Sequence, residues 1–569
     1  MKKIILPLTK GDATPRVREC LKKCSRDSVI VLESGEYHFW PDEASEHYCF
    51  ISNNQHGLRR IAFPLFDQHK LTIEGNGARL IFHGEIIPFF AENCADIVIR
   101  NLAVDWVRPF YSQGQVVAAD AGGVDVRIDR ERYPYRVDNG RIVFVGEGWE
   151  SPLTEGVFAF DAQTRAPAYL SGDSLGLGFP PAIDVEAVDE HTVRLLASFP
   201  VLPSSGDYLV FRHYKRNCPA IALSRSQRVL LEDVTLHHAG AMGVIAQFCE
   251  DVILRRCRVT PSGQRVFSVA ADASHFVNCR GRIRLEDCLF ENQLDDACNV
   301  HGINSRIRKV LDARTVLTER VHHEQHGVEI GLPGDRVVFA DNTTLLSYAD
   351  NEIAAVEAVN ARFALVRLSR ALPLSLVPGH VMDNTSWTAD FTARGCTARR
   401  NRARSFLIST PGRVVLEDND IAAPGSAIKI SGDANYWFES GAVRDVLIRG
   451  NRFGDCCFGA EPWGRSVISI DPEIEECHLG QPRFHRNIRI VDNSFATFDP
   501  SLLLARSVDG LTFSGNSIVR TTTYPSVSPD APPVRLQGCD NVEIANNTLN
   551  GTPVEVTADA CLPVEAIRS

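Results

Sequence analysis

Asp295 and Asp296 stand side by side in Glu291-Asn292-Gln293-Leu294-Asp295-Asp296-Ala297-Cys298-Asn299-Val300-His301-Gly302, with no Lys or Arg inside the stretch. Carboxylates without a sequence-local counter-charge are open to tuning for acid or base work. An Asp-Asp pair alone is also a common polar turn. A third carboxylate, Asp272, alters the reading, because the repeat described below sets it one coil away. Three carboxylates in one patch repel each other, so one holds its proton more tightly than the others. One protonated acid and one ionised base or nucleophile is what glycoside hydrolysis requires. A calcium site is the competing use of three aspartates. A neutral sugar would further need polar partners for its hydroxyls and an aromatic ring for its apolar face. His275, His301, Arg404, Lys429, Asn435, Trp437 and Glu439 are the candidates. Taken singly, each His is more often a structural hydrogen-bonder, and Trp437 is core as often as platform. Lys429, in Ala427-Ile428-Lys429-Ile430, must point outwards or be paired.

The element that has to bring these groups together is a repeat. Its core is an apolar residue, any residue, an apolar residue, two residues, then often Asn or Cys. Copies are Leu71/Ile73 with Asn76, Ile97/Ile99 with Leu102, Val229/Leu231 with Val234, Val252/Leu254 with Cys257, and Ile283/Leu285 with Cys288. Further copies are Val414/Leu416 with Asn419, Val446/Ile448 with Asn451, Ile488/Ile490 with Asn493, Leu511/Phe513 with Asn516, and Val542/Ile544 with Asn547. Val229 and Val252 lie 23 residues apart, as do Ile488 and Leu511. Alternating apolar pairs at that period predict stacked short strands, a parallel β-helix, with the Asn side chains turned inward to pair along a ladder of turns. Asp295 falls 12 residues after Ile283 and Asp272 falls 20 after Val252. The coil from Val252 to Ile283 is 8 residues longer than the basic 23. If the surplus lies between Pro261 and Phe267, Asp272 stacks on Asp295, with backbones about 4.8 Å apart.

Two gaps interrupt the repeat, from Ile97 to Val229 and from Ile283 to Val414, the second trimmed by a weak coil at Cys396 to Asn401. Each holds short β-rich runs broken by Gly, Pro and Asp, which read as small inserted antiparallel domains. Asp12 to Cys24 reads as a short capping helix, followed by a strand at Val29–Leu32. The expected fold class is all-β: a right-handed parallel β-helix with two inserted small antiparallel β-barrels. The expected division is 1–106 for cap and first coils, 107–215 for one barrel, 216–302 for the aspartate-bearing coils, 303–390 for the second barrel, and 391–569 for the last coils.

A net charge of -11 argues against nucleic acid, an anionic membrane surface or a polyanionic glycan as partner. No basic groove is visible in the sequence around Asp295. The 16 cysteines form no CxxC pair, so neither zinc-ligand spacing nor a small disulfide framework is present. Cys94, Cys249, Cys279 and Cys539 recur at one place in the repeat, as buried free thiols would. No metal or other cofactor is expected. The start has the basic opening of a signal peptide, but its apolar part is too short. The native compartment and oligomeric state stay open, a homo-oligomer included.

The chain resembles glycoside hydrolase family 110, the bacterial α-1,3-galactosidases that include blood-group-B-degrading enzymes. The carriers are His47-Tyr48-Cys49-Phe50-Ile51-Ser52-Asn53-Asn54, Ala271-Asp272-Ala273-Ser274-His275, Leu294 to Gly302, and Gly425 to Gly441 with its Asp433-Ala434-Asn435-Tyr436-Trp437-Phe438-Glu439 core. One aspartate followed by Asp-Asp a coil later is similar to the polygalacturonase-type hydrolases as well. The resemblance implies a β-helix with inserted barrels and metal-free, inverting, exo-acting hydrolysis of terminal α-1,3-linked galactose on an oligosaccharide or glycoconjugate. It implies Asp272, Asp295 and Asp296 as the catalytic carboxylates, with Asp295 as acid and the other two activating water. It also implies a periplasmic or secreted protein if a leader precedes this start. The competing readings are a polygalacturonase- or pectate-lyase-like enzyme and a non-catalytic glycan-binding β-helix.

Overall fold

The structure, a computed structural model, describes the chain except residues 1, 55, 180, 215, 481, 555, 559–566 and 569. An α-helix at Thr14–Lys22 precedes a parallel-paired strand at Ser28–Leu32, as the expected cap has it. Beyond them the molecule is almost wholly β.

The apolar pairs of the repeat lie in one parallel ladder. Leu71 pairs with Ile97, and the line continues through Val229, Val252, Ile283, Phe391, Val414, Val446, Ile488, Leu511 and Val542. Phe391/Ala393 is a copy that the apolar pattern missed, because Ala393 is too small to register as one of a pair. It shortens the second interruption by one coil. Parallel ladders through Ser274–Val277 and through Leu289–Glu291 supply the other sides of each coil. Ile283 and Leu285 are fully buried, and one continuous apolar core runs from Ile4 to Ile544.

The inward asparagines satisfy the turns. The backbone N–H groups and Nδ2 atoms of Asn419, Asn451, Asn493 and Asn516 each donate to the Oδ1 of the asparagine one coil on, at 2.8–3.0 Å. The residue before each is left-handed, Asp418 at φ +55° and Gly450 at +66° for example. At Gly450 a Cβ would stand 2.5 Å from Asp418 Oδ1, so the column alternates Asp with Gly. Asn76 departs from the expectation: it is exposed, within a bulge between Glu74 and Ala78. The cysteines Cys94, Cys249, Cys279 and Cys539 are buried, and Cys94, Cys249 and Cys279 are free thiols.

The first interruption folds as a six-stranded antiparallel sheet, in the order Val157–Phe160, Tyr208–Phe211, Ser112–Asp120, Gly123–Ile128, Thr192–Leu196, Asp184–Ala187. The second takes up the tail of the long strand Cys298–Val310, which pairs antiparallel with Thr315–Glu319 on one side and Val381–Asn384 on the other. It has its own small apolar core around Ile307, Val337 and Val366.

Candidate active site

Strand register sets the carboxylates. Ser274 pairs with Cys298 and His275 with Asn299. At that offset Asp272 faces Asp296, not Asp295 as equal coil lengths would have it; Ala273 N–H donates to Asp296 O at 2.9 Å. On the next coil Cys298 pairs with Phe406, so Arg404 stands over Asp296. Asp295 is the neighbour of this column.

The three carboxylates each bring an oxygen within 4.8 Å of the other two, and all are buried. The cluster is tighter than the ~6.5–9.5 Å expected of an inverting pair. It is also not without counter-charge, as the sequence suggested. Asp295 accepts from Arg216 Nη2 at 2.7 Å and from Arg402 Nη1 at 2.9 Å. Arg402 turns its other edge to Asp173, both bonds 2.9 Å. Arg404 grips Asp296 with Nε and Nη2, both at 3.0 Å. A divalent cation would meet the three guanidiniums that already neutralise this donor set, so we assign it no metal.

Proton affinities spread accordingly. Burial raises Asp295, but Arg402, Arg216 and Arg404 outweigh it and hold the carboxyl at about 2. Burial and then Asp295 push Asp272 well above the ordinary range. Asp296 is pushed up to about 7 by burial, against the pull of Arg404. Arg402, Arg216 and Arg404 thus favour an ionised Asp295, the reverse of what an acid role for Asp295 needs.

The expected sugar contacts divide. Arg404 and Glu439 are in the site; Glu439 accepts from Asn299 Nδ2 at 3.3 Å. Trp437 is 37% exposed, with its ring centroid 4.2 Å from that of His322, an open aromatic wall. His275 and His301 are buried; His275 bonds Asp272 at 2.6 Å and His301 at 2.9 Å through its two nitrogens. Both ring nitrogens of His275 are engaged within the protein, as are those of His301. Lys429 is paired, as a Lys in a β-run must be, with Glu473 at 3.5 Å. Asn435 is exposed and exchanges hydrogen bonds with Asn342 of the second interruption, pinning that unit to the coils.

Other residues were not foreseen. Asp173 and Arg216 come from or just after the first interruption, and His322, Glu324 and Gln325 from the second. Gln325 donates to Trp437 O at 3.0 Å. Glu324 is the strongest charged influence on Arg216. Asn299 Oδ1, His322 Nδ1 and Glu324 Oε2 are buried with no protein hydrogen-bond partner. Polar atoms so placed call for water or a ligand hydroxyl. Only Arg402 left a signal, its two-residue spacing from Arg404 in Asn401-Arg402-Ala403-Arg404. Distances across interrupted coils leave none.

Comparison with known proteins adds two kinds of match. Residues 112–209 match the family model described as GLAA-B beta-barrel domain I, and residues 315–382 match GLAA-B beta-barrel domain II. The chain is 36% identical to an alpha-1,3-galactosidase B of Bacteroides thetaiotaomicron, over 96% of this chain and 89% of that protein. It is 32% identical to an alpha-1,3-galactosidase A of Shewanella woodyi over the same shares, 96% and 89%. It is 32% identical to an alpha-1,3-galactosidase A of Bacteroides fragilis, over 96% of this chain and 91% of that protein.

Proposed function

Because the chain belongs to the α-1,3-galactosidase family, glycoside hydrolase family 110, we propose that it removes terminal α-1,3-linked galactose from glycans by exo-acting hydrolysis. The observation that carries the reading is the buried cluster of Asp272, Asp295 and Asp296, whose surroundings shift the proton affinities of Asp272 and Asp295 in opposite directions. In this reading the fold is a right-handed parallel β-helix with two inserted barrels, divided as the sequence suggests. The parallel ladders support it, as do family matches that fall inside 107–215 and 303–390.

An acid must carry a proton before the bond breaks. Burial raises the proton affinity of Asp272 and the arginines lower that of Asp295, which supports Asp272 as the general acid and Asp295 as the base. This exchanges the labels that the resemblance implies. Asp296, clasped by Arg404, orients the pair. Asn299, Glu439, His322 and the ring of Trp437 receive the galactose. Residues from both interruptions wall the cluster, which suits a chain end better than a chain middle.

We read the outcome as inversion, which the resemblance supports. One observation favours retention: oxygens within 4.8 Å of each other approach the ~5–5.5 Å spacing of a nucleophile and its acid. Proton NMR of the first product from Galα1-3Gal and the blood group B trisaccharide decides. We expect β-galactose first. α-Galactose first would make Asp295 the nucleophile, and no galactose at all would sink the activity.

A further inference from the structure

The first inserted domain reaches towards the carboxylate cluster with Asp173, and the chain is bent against its preference to put that side chain there. Ser174 and Leu175, the two residues after it, both lie in the left-handed region, at φ +52° and +55°. Such a backbone disfavours any residue with a Cβ, and it persists where the surroundings over-determine it. Here they do. Leu175 is buried in the main core, Val201 N–H donates to Leu175 O at 3.0 Å, and Leu170 N–H donates to Phe458 O at 2.9 Å. Before Asp173 stands Gly172, at φ +52°, where a Cβ would lie 2.4 Å from that of Ala460. The turn is thus pinned between its own domain and the later coils.

What the turn delivers is a clamp on Arg402. Asp173 accepts from Nε and Nη2 of that guanidinium, both at 2.9 Å, and from Trp463 Nε1 at 3.1 Å. The rings of Phe158 and Trp463 stand 5.6 and 5.5 Å from the same guanidinium. With that edge taken, Arg402 gives Asp295 one bond, from Nη1 to Oδ1 at 2.9 Å, while Arg216 holds Oδ2 at 2.7 Å. Each oxygen of Asp295 thus takes one arginine bond and keeps a lone pair for chemistry. Arg404, by contrast, grips Asp296 with two bonds. Burial works against the charge on Arg402, and Asp173 first and Asp295 second hold it there. Arg212 faces both carboxylates as well, paired with Glu155 at 3.3 Å. We propose that Asp173 is a positioning residue of the cluster: by occupying the outer edge of Arg402 it limits that arginine to one bond on Asp295 and fixes the direction of the carboxyl. The inference rests on the reading of Asp295 as a member of the reacting cluster, and it holds whether that carboxyl gives the proton or takes it. Without Asp173 the guanidinium is released to turn its whole edge to Asp295, which rotates the carboxyl and ties up the lone pair it reacts with. Through Asp173 the first inserted domain sets the geometry of a reacting group as well as walling the site.

Steady-state kinetics on Galα1-3Gal, with the melting temperature followed alongside, test the role. Asp173→Asn keeps the size of the side chain and removes its charge; Asp173→Glu keeps the charge. In Asp173→Asn we expect kcat to fall about 10–100-fold with KM within about threefold of the parent, the cost of a misaimed group rather than of a lost sugar contact. Asp173→Glu should recover part of that loss. A lowered melting temperature with kcat within about twofold of the parent would make Asp173 a strut between domain and coils, and overturns the proposal. A raised KM with kcat kept would make it a sugar contact, and overturns it too, as does an Asp173→Glu no better than Asp173→Asn. If Asp173→Asn does not fold, Arg402→Lys carries the test. A single ammonium cannot hold two carboxylates in that fixed fork, so kcat should fall likewise with KM kept; a kcat equal to the parent's overturns the proposal. Asp295→Asn separates the two levels of argument. Near-normal turnover in that variant removes Asp295 from the reaction, and the reading of the cluster with it. An inactive Asp295→Asn beside an unaffected Asp173→Asn overturns the positioning role alone.

Discussion

Asp272 and Asp295 share one cluster, yet their surroundings drive their protons in opposite directions, and this makes them separable by experiment. General-acid help matters in proportion to the basicity of the leaving group. Asp272→Asn should therefore slow Galα1-3Gal by about 10²–10⁴-fold and spare an activated aryl α-galactoside more. Asp295→Asn should slow both alike, since water needs a base whatever leaves. The opposite pattern would return the acid role to Asp295. Stability follows the same logic with opposite signs. The Asp295 carboxyl, held at about 2, lies below its ordinary 3.8; it contributes stability above pH 4 that is lost as pH falls towards 2. Asp272 is raised, so its contribution is full at low pH and is lost as pH rises through its folded value. Asn at 272 is neutral at every pH and can still donate to His275 Nδ1. The Asp272→Asn protein should therefore melt no lower than the parent at pH 7, with the gap widening in its favour as pH rises. Arg402→Met is the contrast: it strips one guanidinium from the buried Asp295 and the half-buried Asp173, and should cost about 3 kcal/mol in urea unfolding.

Each coil has to meet the backbone demands of its own turn, and the asparagine column is how the later coils do it. Asn493 Oδ1 accepts from both N and Nδ2 of Asn451, and its own Nδ2 donates to Ile448 O. Asn493→Ala takes the acceptor from the buried Asn451 N–H and the donor from Ile448 O, while Asn451 Nδ2 keeps Leu416 O, and should cost about 1–3 kcal/mol. A loss below 0.5 kcal/mol by chemical denaturation would mean that water takes the place of the side chain. This column is also why the fold was so legible: a period-two apolar pair with Asn or Cys at a fixed offset writes each coil into the sequence. Val252, Val446 and Leu511 pair with the copies that the pattern sets beside them, whereas Phe391, between Ile283 and Val414, escaped it. The site was legible only where it follows that pattern. Asp272 and Asp296 belong to one column, and a slip of one residue in counting the long coil put Asp295 in it instead. Arg216, Asp173, His322 and Glu324 reach the cluster from interruptions that obey no repeat, so no spacing in the sequence relates them to Asp295.

At the scale of the whole molecule, the charge of the surface and the charge of the site differ, and the substrate class follows from the difference. The chain carries a net charge of -11, so its field repels a polyanion at long range. The sequence showed no basic groove near Asp295; the fold brings Arg216, Arg402 and Arg404 there, which at first sight suits a uronate. Each of the three is already committed at 2.7–3.0 Å to Asp295, Asp173 or Asp296. With Asp272 neutral, those guanidiniums meet about as many ionised carboxylates, and none of the three is left over to neutralise an incoming acid. Two outcomes follow. The kcat/KM on neutral Galα1-3Gal should change less than about twofold from low to high salt, because no substrate charge is there to screen. Polygalacturonate should not be cleaved at any salt, since screening removes the repulsion of the surface but cannot create a binding cation in the cluster. Reducing-end assays across a salt series measure both. Polygalacturonate cleavage that appears as salt rises would mean that repulsion alone excluded the polyanion and that an arginine of the cluster lets go of its partner to bind it. Cleavage already at low salt would move the whole reading to the polygalacturonase side.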